Sequence, residues 1–258
     1  MIYEVKNLNF SYNKKNSVLN DINLQFNEGE LLCVLGKNGS GKSTLFKCLL
    51  GLLKQYDGEI LLNNKEIKRL KEKDIAQIVG YVPQNNESTF DFTVYEYVLM
   101  GLASNVSMFS HPSIEDEKKV LTVLKEMDLI NLSQRKFNEL SGGEKQQVSI
   151  ARAIVKQPKV ILFDEPTAHL DYSNQIKVLK KIKELSNKGY AIAITTHDPN
   201  HAILLDGKVA LFDENGHIKQ GARKELITED NLKIIYGTDL KIRYLEEFKR
   251  DVCIYPAL

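Results

Sequence analysis

The chain has 258 residues, of which 43% are hydrophobic, and 35 lysines and arginines offset 34 aspartates and glutamates to leave a net charge of +1. This length can bury one large core or a core with a subdomain, while the near-zero charge gives no bulk electrostatic reason to expect nucleic acid as a partner. No apolar run approaches the ~18 residues that span a bilayer, and the first residues lack a signal-peptide pattern. Because the three cysteines have no C-x-x-C spacing, we interpret Cys33 and Cys48 as small core residues of a reducing compartment, not as a disulfide or metal set.

The beginning of the chain predicts three β-strands. Residues 2–8 are extended and largely apolar, and residues 22–26 alternate apolar and polar side chains, which is typical of a half-buried strand in an antiparallel sheet. Leu31–Leu35 is continuously apolar and predicts a buried strand. Tyr12 falls in the predicted loop between the first two strands. It is either an ordinary surface tyrosine or an aromatic platform for adenine, and its spacing alone favours the surface tyrosine.

A glycine-rich segment, Gly36–Ser43, follows the third strand and fits the pattern G-x-x-x-x-G-K-[ST]. A helix-like run over Thr44–Leu50 comes next, and this strand–loop–helix context favours a phosphate-binding loop over a chance glycine turn. The backbone N–H groups of such a loop can point at phosphate oxygens beside the positive end of the helix. We expect Lys42 to reach the β- and γ-phosphates and the Ser43 hydroxyl to bind Mg²⁺. The predicted nucleotide contacts of this segment are Gly36, Asn38, Gly39, Ser40, Gly41, Lys42, Ser43 and Thr44.

The next predicted strand of the core is Ile78–Val82, which ends before Pro83 and Gln84. A glutamine at this place lies where α/β sheets hold ligands, although simple solvent exposure explains a lone glutamine equally well. From residue 85 to about residue 157 the strand pattern disappears and helical periodicity replaces it. We therefore predict a helical subdomain inserted into an α/β core.

A second glycine-rich helix start lies at Leu140–Glu144, within the sequence Leu-Ser-Gly-Gly-Glu. It can serve as a second anion-binding helix end. It can equally be a capping box, in which Ser141 is the N-cap and Glu144 follows three residues later. The sequence leaves both interpretations open, because one geometry serves both.

Polar side chains follow two later strands at the point where each strand ends. Val160–Phe163 is a fully apolar strand that leads into Asp164 and Glu165, and the strand Tyr190–Thr195 leads to His197. In a protein with a phosphate-binding loop, Asp164 can hold Mg²⁺ through its water shell and Glu165 can polarise the attacking water. The alternative is a solvated acidic turn. A neutral imidazole at His197 could hydrogen-bond a γ-phosphate oxygen, although a lone histidine is more often structural.

One phosphate-binding loop and no internal repeat indicate one nucleotide-binding unit per chain. Residues 208–218 predict a hairpin with an Asn-Gly turn. We place a nucleotide-binding domain at residues 1–222, with the helical insert at about residues 85–157. Residues 223–258 form a charged, partly helical tail to which the sequence assigns no role.

In their order and wording, these motifs resemble the ATP-binding subunit of an ATP-binding cassette (ABC) transporter. The resemblance covers roughly residues 1–222 and rests on Gly36–Ser43, Gln84, Leu140–Glu144, Val160–Glu165, Ala168–Asp171 and His197. It implies an α/β fold: a P-loop NTPase (ABC ATPase) core with an antiparallel β subdomain and the inserted α-helical subdomain.

The resemblance also implies roles for single residues. Tyr12 becomes the aromatic residue that stacks on adenine, which reverses the interpretation from spacing alone. Gln84 becomes a Mg²⁺ ligand that senses the membrane partner, His197 becomes the switch histidine, and Asp171 joins the nucleotide contacts. Glu165 is the expected general base. With Ser43, Gln84 and Asp164 at the metal, the implied cofactors are ATP and Mg²⁺.

Leu140–Glu144 corresponds to the signature motif of the family, with Glu144 where the family usually has glutamine. The resemblance implies a head-to-tail dimer in which Ser141, Gly142 and Gly143 of one copy contact the γ-phosphate held by Lys42 of the other. Two such sites follow from two-fold symmetry. Besides this second copy, the implied partners are a polytopic membrane permease dimer and, indirectly, a substrate-binding protein, with no nucleic acid. The expected location is the cytoplasmic face of the cell membrane.

The wording is also similar to one branch of the family, the importers of iron chelates, haem and vitamin B12. The segments concerned are Val98–Gly101, Leu140–Gln147, Glu165–Asp171 and Asn231–Gly237. Molybdate-type importers share much of this wording and stay open as an alternative. Two further alternatives also stay open: a soluble ABC ATPase of iron–sulphur scaffold assembly, and a nucleotide-binding regulator without turnover.

Overall fold

The computed structural model describes residues 1–13, 16–85, 90–105 and 112–255. Its strands are β1 (Tyr3–Asn13), β2 (Asn16–Phe26), β3 (Leu31–Leu35), β4 (Asp57–Leu62), β5 (Lys65–Glu66), β6 (Val79–Val82), β7 (Val160–Asp164), β8 (Ala191–Thr196), β9 (Lys208–Phe212), β10 (Ile218–Gly221), β11 (Lys241–Leu245) and β12 (Arg250–Ile254). Its α-helices are α1 (Lys42–Leu49), α2 (Glu72–Ile78), α3 (Val94–Leu99), α4 (Ile114–Glu126), α5 (Gly142–Ile154), α6 (Tyr172–Asn187), α7 (Pro199–Leu205), α8 (Arg223–Leu226) and α9 (Glu229–Tyr236). None of these helices combines the length and apolar composition that crossing a membrane requires.

Two sheets build the core. The larger has the strand order β10-β9-β3-β8-β7-β6 and is parallel except for the edge strand β10. The smaller has the order β2-β1-β4-β5 and is antiparallel. Parallel neighbours bring the carboxyl ends of β3, β7 and β8 to one edge of the sheet, where ligands bind in α/β folds. The predicted α/β core with an antiparallel sheet is confirmed.

The central strands of the parallel sheet are buried on both faces, which explains their unbroken apolar sequences. Along β3, Cys33 belongs to the apolar cluster that includes the helices of the segment between β6 and β7. Its neighbours Leu32 and Val34 belong to the second cluster, with α1 and the antiparallel sheet. Cys33 and Cys48 are both buried, as predicted.

The described part of the segment between β6 and β7 is built from helices and 3₁₀ turns, with one isolated bridge from Thr93 to Lys136. Thr93 and Ser113 each cap the following helix in a capping box. Inside the segment, the rings of Tyr97 and Phe137 stack with centroids 4.0 Å apart. The boundaries that we assigned at residues 85, 157 and 222 stay predictions.

Two details near the ends of the chain go beyond or against the sequence prediction. The first strand is longer than predicted, since β1 continues through Tyr12 to pair Asn13 with Asn16 of β2. Placing Tyr12 in a loop was therefore wrong. In the tail, α8 and α9 are followed by the hairpin β11–β12, so the predicted partly helical segment also contains a two-stranded sheet.

Candidate active site

The loop between β3 and α1 leaves a helix start open. Gly41 has a φ of 110°, which favours glycine, and α1 begins at Lys42 with no side chain capping its first N–H groups. The buried Lys42 donates from Nζ to the backbone oxygens of Gly36 at 2.9 Å and Lys37 at 2.8 Å. The buried Ser40 hydroxyl has no hydrogen-bond partner among the described residues. An unpartnered hydroxyl beside an uncapped helix start fits a phosphate group.

Asp164, the last residue of β7, gathers three hydroxyl groups. Ser43 Oγ donates to its Oδ1 at 3.0 Å, and Thr195 Oγ1 donates to the same oxygen at 2.7 Å. Tyr81 donates to the other oxygen at 3.4 Å. A serine hydroxyl next to a carboxylate offers the hard oxygen ligands that Mg²⁺ prefers. Ser43 and Asp164 therefore fit the predicted metal site, where a bound Mg²⁺ would neutralise phosphate charge.

Glu165 is held between a lysine and a histidine side chain. Its Oε1 lies 3.2 Å from Lys42 Nζ and its Oε2 lies 3.2 Å from His197 Nδ1, while its backbone N–H donates to Thr195 Oγ1 at 2.8 Å. It is only 9% exposed. The hydrogen bond from His197, together with the Lys42 charge, holds the pKa of Glu165 below its usual range against the effect of burial. The same hydrogen bond raises the pKa of His197. These contacts do not fit a solvated acidic turn.

A cleft of about 480 Å³ opens in front of these groups. Its lining residues are Tyr12, Val18, Asn38, Gly39, Gly41, Lys42, Ser43, Thr44, Gln84 and Glu165. Tyr12 lies at the rim with 59% of its surface exposed, and its hydroxyl lies 3.2 Å from Thr44 Oγ1. The structure thus brings Tyr12, Gln84 and Glu165 to one cleft with the glycine-rich loop. Stacking by Tyr12 and metal binding by Gln84 stay predictions.

The second glycine-rich helix start is not part of this cleft. Ser141 is the N-cap of α5, and its backbone N–H and hydroxyl both donate to the carboxylate of Glu144, at 2.9 and 2.7 Å. Gly143 packs so closely on Asn174 that a Cβ there would lie 2.5 Å from the Asn174 side chain. Asn174 is in turn bonded to Asp171, the N-cap of α6. Within one chain, the predicted contacts Ser141, Gly142, Gly143 and Asp171 therefore form a group separate from the cleft, and their role in nucleotide binding stays a prediction.

Comparison with known proteins places this arrangement in a family. Residues 19–168, more than half of the chain, match the ABC transporter family. This chain belongs to the ABC transporter family. The confirmed resemblance carries the activity of the family with it, so this ABC protein is an ATPase that binds and hydrolyses ATP.

Two curated relatives align over nearly the whole chain. A Helicobacter pylori ATP-binding protein named for iron chelatin transport is 35% identical, with 93% of this chain and 95% of the relative aligned. The molybdate import ATP-binding protein MolC of Haemophilus influenzae is 34% identical, with 95% of this chain and 92% of the relative aligned.

Two solved structures share the fold. An ABC transporter described as of metal-chelate type, solved in an inward-facing conformation, matches with a TM-score of 0.86 and 32% identity, covering 98% of both chains. A dimeric ATP-binding cassette in a post-hydrolysis state, bound to ADP and phosphate, matches with a TM-score of 0.74 and 28% identity, covering 86% of this chain and 99% of that one.

Sequence reasoning missed three residues at the site of this ABC protein. Thr195 joins Asp164 to the backbone of Glu165, and Tyr81 contacts Asp164 from β6. Tyr236, in the tail, donates to the backbone oxygen of His197 at 2.8 Å. A hydroxyl residue two positions before His197 was the one available signal, because it ends a strand beside β7; Tyr236 carried none.

Proposed function

We propose that this chain is the ATP-hydrolysing subunit of an ABC importer for an iron chelate (siderophore), haem or vitamin B12. The observation that carries the ATPase site is the cluster at the cleft, where Lys42, Ser43 and Glu165 line the wall and contact Asp164 and His197 behind it. The substrate class is supported by the relative named for iron chelatin transport and by the transporter of metal-chelate type.

The contacts of Lys42 describe the cleft before ATP binds. The buried Lys42 ammonium contacts two backbone oxygens and Glu165, so a positive charge already lies where the γ-phosphate would bind. When Lys42 turns to the phosphates, Glu165 loses a cationic partner, and its basicity rises toward that of a free carboxylate. Glu165 can then orient the attacking water, while Lys42 and His197 stabilise the charge of the transferring phosphoryl group.

The separation of Ser141 from the cleft supports a two-chain site. In one chain Ser141 caps its own helix and Gly143 packs on Asn174, so a second copy must supply a signature motif to the γ-phosphate. A two-fold axis gives two equivalent sites, and loss of the γ-phosphate removes the bridge between the chains. The dimeric relative with ADP and phosphate supports this arrangement.

A groove of about 400 Å³, lined by residues of α2, β6 and the helical segment, is the expected permease contact. Leu52, Tyr81, Pro83 and Gly101 are among its lining residues. Tyr81 also donates to Asp164, so a partner in this groove would lie one side chain from the proposed metal site. We place the subunit on the cytoplasmic face of a membrane, bound to a permease dimer that works with a substrate-binding protein.

The decisive experiment for the ATPase dimer is Glu165→Gln in the full chain. This substitution keeps the shape of the side chain and removes the base, so we expect turnover to fall at least ~10²-fold while ATP still binds. With ATP and Mg²⁺, light scattering should then detect a stable dimer. Lys42→Ala is the control and should stay monomeric. A strictly monomeric Glu165→Gln chain at saturating ATP contradicts the two-chain site.

The importer itself is tested by purification from solubilised membranes. Co-purification with a polytopic permease supports import, whereas a soluble partner supports the alternative, an ATPase of iron–sulphur scaffold assembly. The similarity to MolC keeps a molybdate-type importer as the second candidate. In vesicles carrying the complete transporter, ATP-dependent uptake of an iron chelate but not of molybdate supports the proposal, and the reverse contradicts it.

A further inference from the structure

The tail holds the loop that carries His197, through contacts that begin with Tyr236. Its hydroxyl donates to the His197 backbone oxygen at 2.8 Å. The residue belongs to α9, which is anchored by the buried side chains of Leu232 and Ile235, and Gly237 ends the helix in a left-handed conformation. Burial raises the pKa of the Tyr236 hydroxyl, so it remains a donor at any physiological pH.

The helix that follows His197 is clamped by the same tail. Asn200, in the first turn of α7, exchanges two hydrogen bonds with the backbone of Cys253 in β12, at 3.0 and 2.9 Å. Arg223 pairs with Asp206 just after α7 at 2.7 Å and with Asp251 in β12 at 3.1 Å. Both ends of α7 are therefore tied to the hairpin β11–β12.

The residues on either side of His197 are held by further contacts of the Thr196 hydroxyl. Thr196 Oγ1 accepts from the Asp198 backbone N–H at 3.1 Å and lies 2.9 Å from Nδ1 of the buried His201. These bonds fix the residues that flank His197. They leave the peptide oxygen of His197 itself to the Tyr236 hydroxyl.

The imidazole of His197 depends on this support because it is otherwise half exposed. Its side chain has 51% relative exposure, and the contact that orients the ring is the 3.2 Å approach of Nδ1 to Glu165. A ring on a mobile backbone would lose this alignment, and alignment of reacting groups within a fraction of an ångström is worth large factors in rate.

We propose that Tyr236 and the tail are positioning elements for the switch histidine: they hold the His197 backbone so that its imidazole meets Glu165 and the γ-phosphate. Tyr236 acts through His197 and does not touch the nucleotide cleft itself. This inference rests on the proposed ATPase function for its effect on rate, but its structural part can be measured without ATP.

The first test is spectroscopic and compares Tyr236→Phe with Tyr244→Phe in the full chain. Tyr236→Phe removes only the hydroxyl, and Tyr244, more than half exposed on β11, is the matched tail control. In chains with ¹⁵N-labelled histidine and no ATP, we expect the imidazole signals of His197 to shift in Tyr236→Phe and to stay unchanged in Tyr244→Phe. Loss of the signals in His197→Asn assigns them. Unchanged His197 signals in Tyr236→Phe overturn the proposal, whether or not the chain hydrolyses ATP.

The second test separates positioning from stability. Because the hydrogen bond positions His197 and does not bind nucleotide, we expect kcat of Tyr236→Phe to fall roughly 2- to 10-fold with KM for ATP unchanged. In a His197→Asn background the same substitution should cause no further loss, because Tyr236 acts through that residue. A wild-type kcat, or losses that multiply in the double variant, overturn the proposal. If the wild-type chain lacks turnover, the proposed function fails and the spectroscopic result still decides the inference.

Discussion

The two glycine-rich helix starts of this ABC protein look alike in sequence and differ in structure. At α1, no side chain caps the first N–H groups, and the Ser40 hydroxyl beside them is buried without a partner among the described residues. At α5, Ser141 and Glu144 form a complete capping box. The first end is ready for an anion inside one chain. At the second, the N–H and hydroxyl of Ser141 donate to the Glu144 carboxylate, so a phosphate must compete with Glu144 for these two donors.

This difference has a mechanistic consequence. In the proposed two-chain site, one chain holds ATP at α1, and closure must add the cost of exchanging the Glu144 contact at α5 for a contact with the γ-phosphate. Capping contacts of this kind are worth about 0.5–2 kcal/mol each. We therefore expect the stability of the dimer to depend more on the γ-phosphate, whose new contact can offset the lost Glu144 contact, than on the adenosine part of the nucleotide.

The largest expected effect comes from a dimer in which one chain has an intact α1 start and the other has an intact α5 start. A dimer that pairs Lys42→Ala with Ser141→Arg keeps one complete site, because each chain supplies the end that the other lacks. We expect about half of the wild-type ATPase rate per dimer if the two equivalent sites act independently. The measurement is the phosphate release of heterodimers purified with two different tags.

The matched control carries both substitutions on one chain and pairs it with the unmodified chain. Neither site of that dimer is complete, so its rate should equal the background. Ser141 is exposed, so its substitution should leave the fold intact. Activity in this control together with no activity in the first pairing means that each site is completed within one chain.

The second prediction concerns Thr195, which contacts Asp164 and Glu165 beside the start of α1. Thr195→Val keeps the volume of a fully buried side chain but removes a donor to Asp164 and an acceptor for the Glu165 N–H. An unsatisfied buried N–H costs about 1–3 kcal/mol, so we expect turnover to fall roughly 5- to 150-fold and the Mg²⁺ requirement to rise. Steady-state rates measured across a Mg²⁺ titration check this.

Thr122→Val is the control, since Thr122 is exposed on α4 and its hydroxyl donates to the backbone oxygen of Lys118 one turn earlier. It should leave both quantities unchanged. An unaltered Mg²⁺ titration in Thr195→Val means that Thr195 does not position Asp164.

The sequence could predict the parts of this site that lie close together along the chain. Gly36–Ser43 is contiguous, and the position of Glu165 follows from a buried apolar strand that must end at the ligand edge of a parallel sheet. Thr195 was not predicted, because its contact depends on the register of β7 on β8. That register pairs Asp164 with Thr195 and cannot be read from the sequence of either strand alone. Tyr236 was not predicted, because its contact with His197 joins residues 39 positions apart.

The fold shows the same division between local and long-range information. The unbroken apolar run Leu31–Leu35 predicted β3 with the observed bounds. The end of β1 was misjudged because pairing with β2, and not the polar sequence around Tyr12, keeps those residues extended. The α5 end was left open between two interpretations, and side-chain geometry was needed to find its capping box closed.

A smaller effect is expected from Glu144→Gln, which tests the competition at α5. Glutamine can also complete a capping box, so the helix start keeps its cap while losing a negative charge near the expected γ-phosphate. A charge at a helix start is worth about 0.3–1 kcal/mol, and we expect ATP-driven dimerisation to become roughly 2- to 5-fold tighter. The dimer dissociation constant is measured in the Glu165→Gln background.

Glu115→Gln is the matched variant, because Glu115 is an exposed acidic residue in the first turn of α4. It should not change dimerisation. Weaker dimerisation in Glu144→Gln means that the carboxylate assists the closed site and does not compete with phosphate.

The smallest expected effect is a pH dependence of folding stability. It arises from the contact between Glu165 and His197 and has no counterpart at the start of α5. Contact with His197 lowers the pKa of Glu165 and raises that of His197. The stabilisation from Glu165 is present above its unfolded pKa of about 4.3 and is lost as pH falls through its lower folded value. The stabilisation from His197 is fully present below its unfolded pKa of about 6.5 and is lost as pH rises through its higher folded value. Both contributions therefore coincide between about pH 4.3 and 6.5.

Denaturant unfolding of the wild-type chain and of His197→Asn should accordingly differ most near pH 6 and converge at alkaline pH. The effect should be modest, because the His197 side chain is half exposed and solvent screens the pair. The α5 end supplies the contrast. There Glu144 meets a hydroxyl and a backbone N–H, neither of which titrates near neutrality, so the difference between wild type and Glu144→Gln should stay flat from pH 6 to 9. A His197→Asn difference that is equally flat means that the imidazole carries no charge in its contact with Glu165, and the two ends then differ in geometry but not in electrostatics.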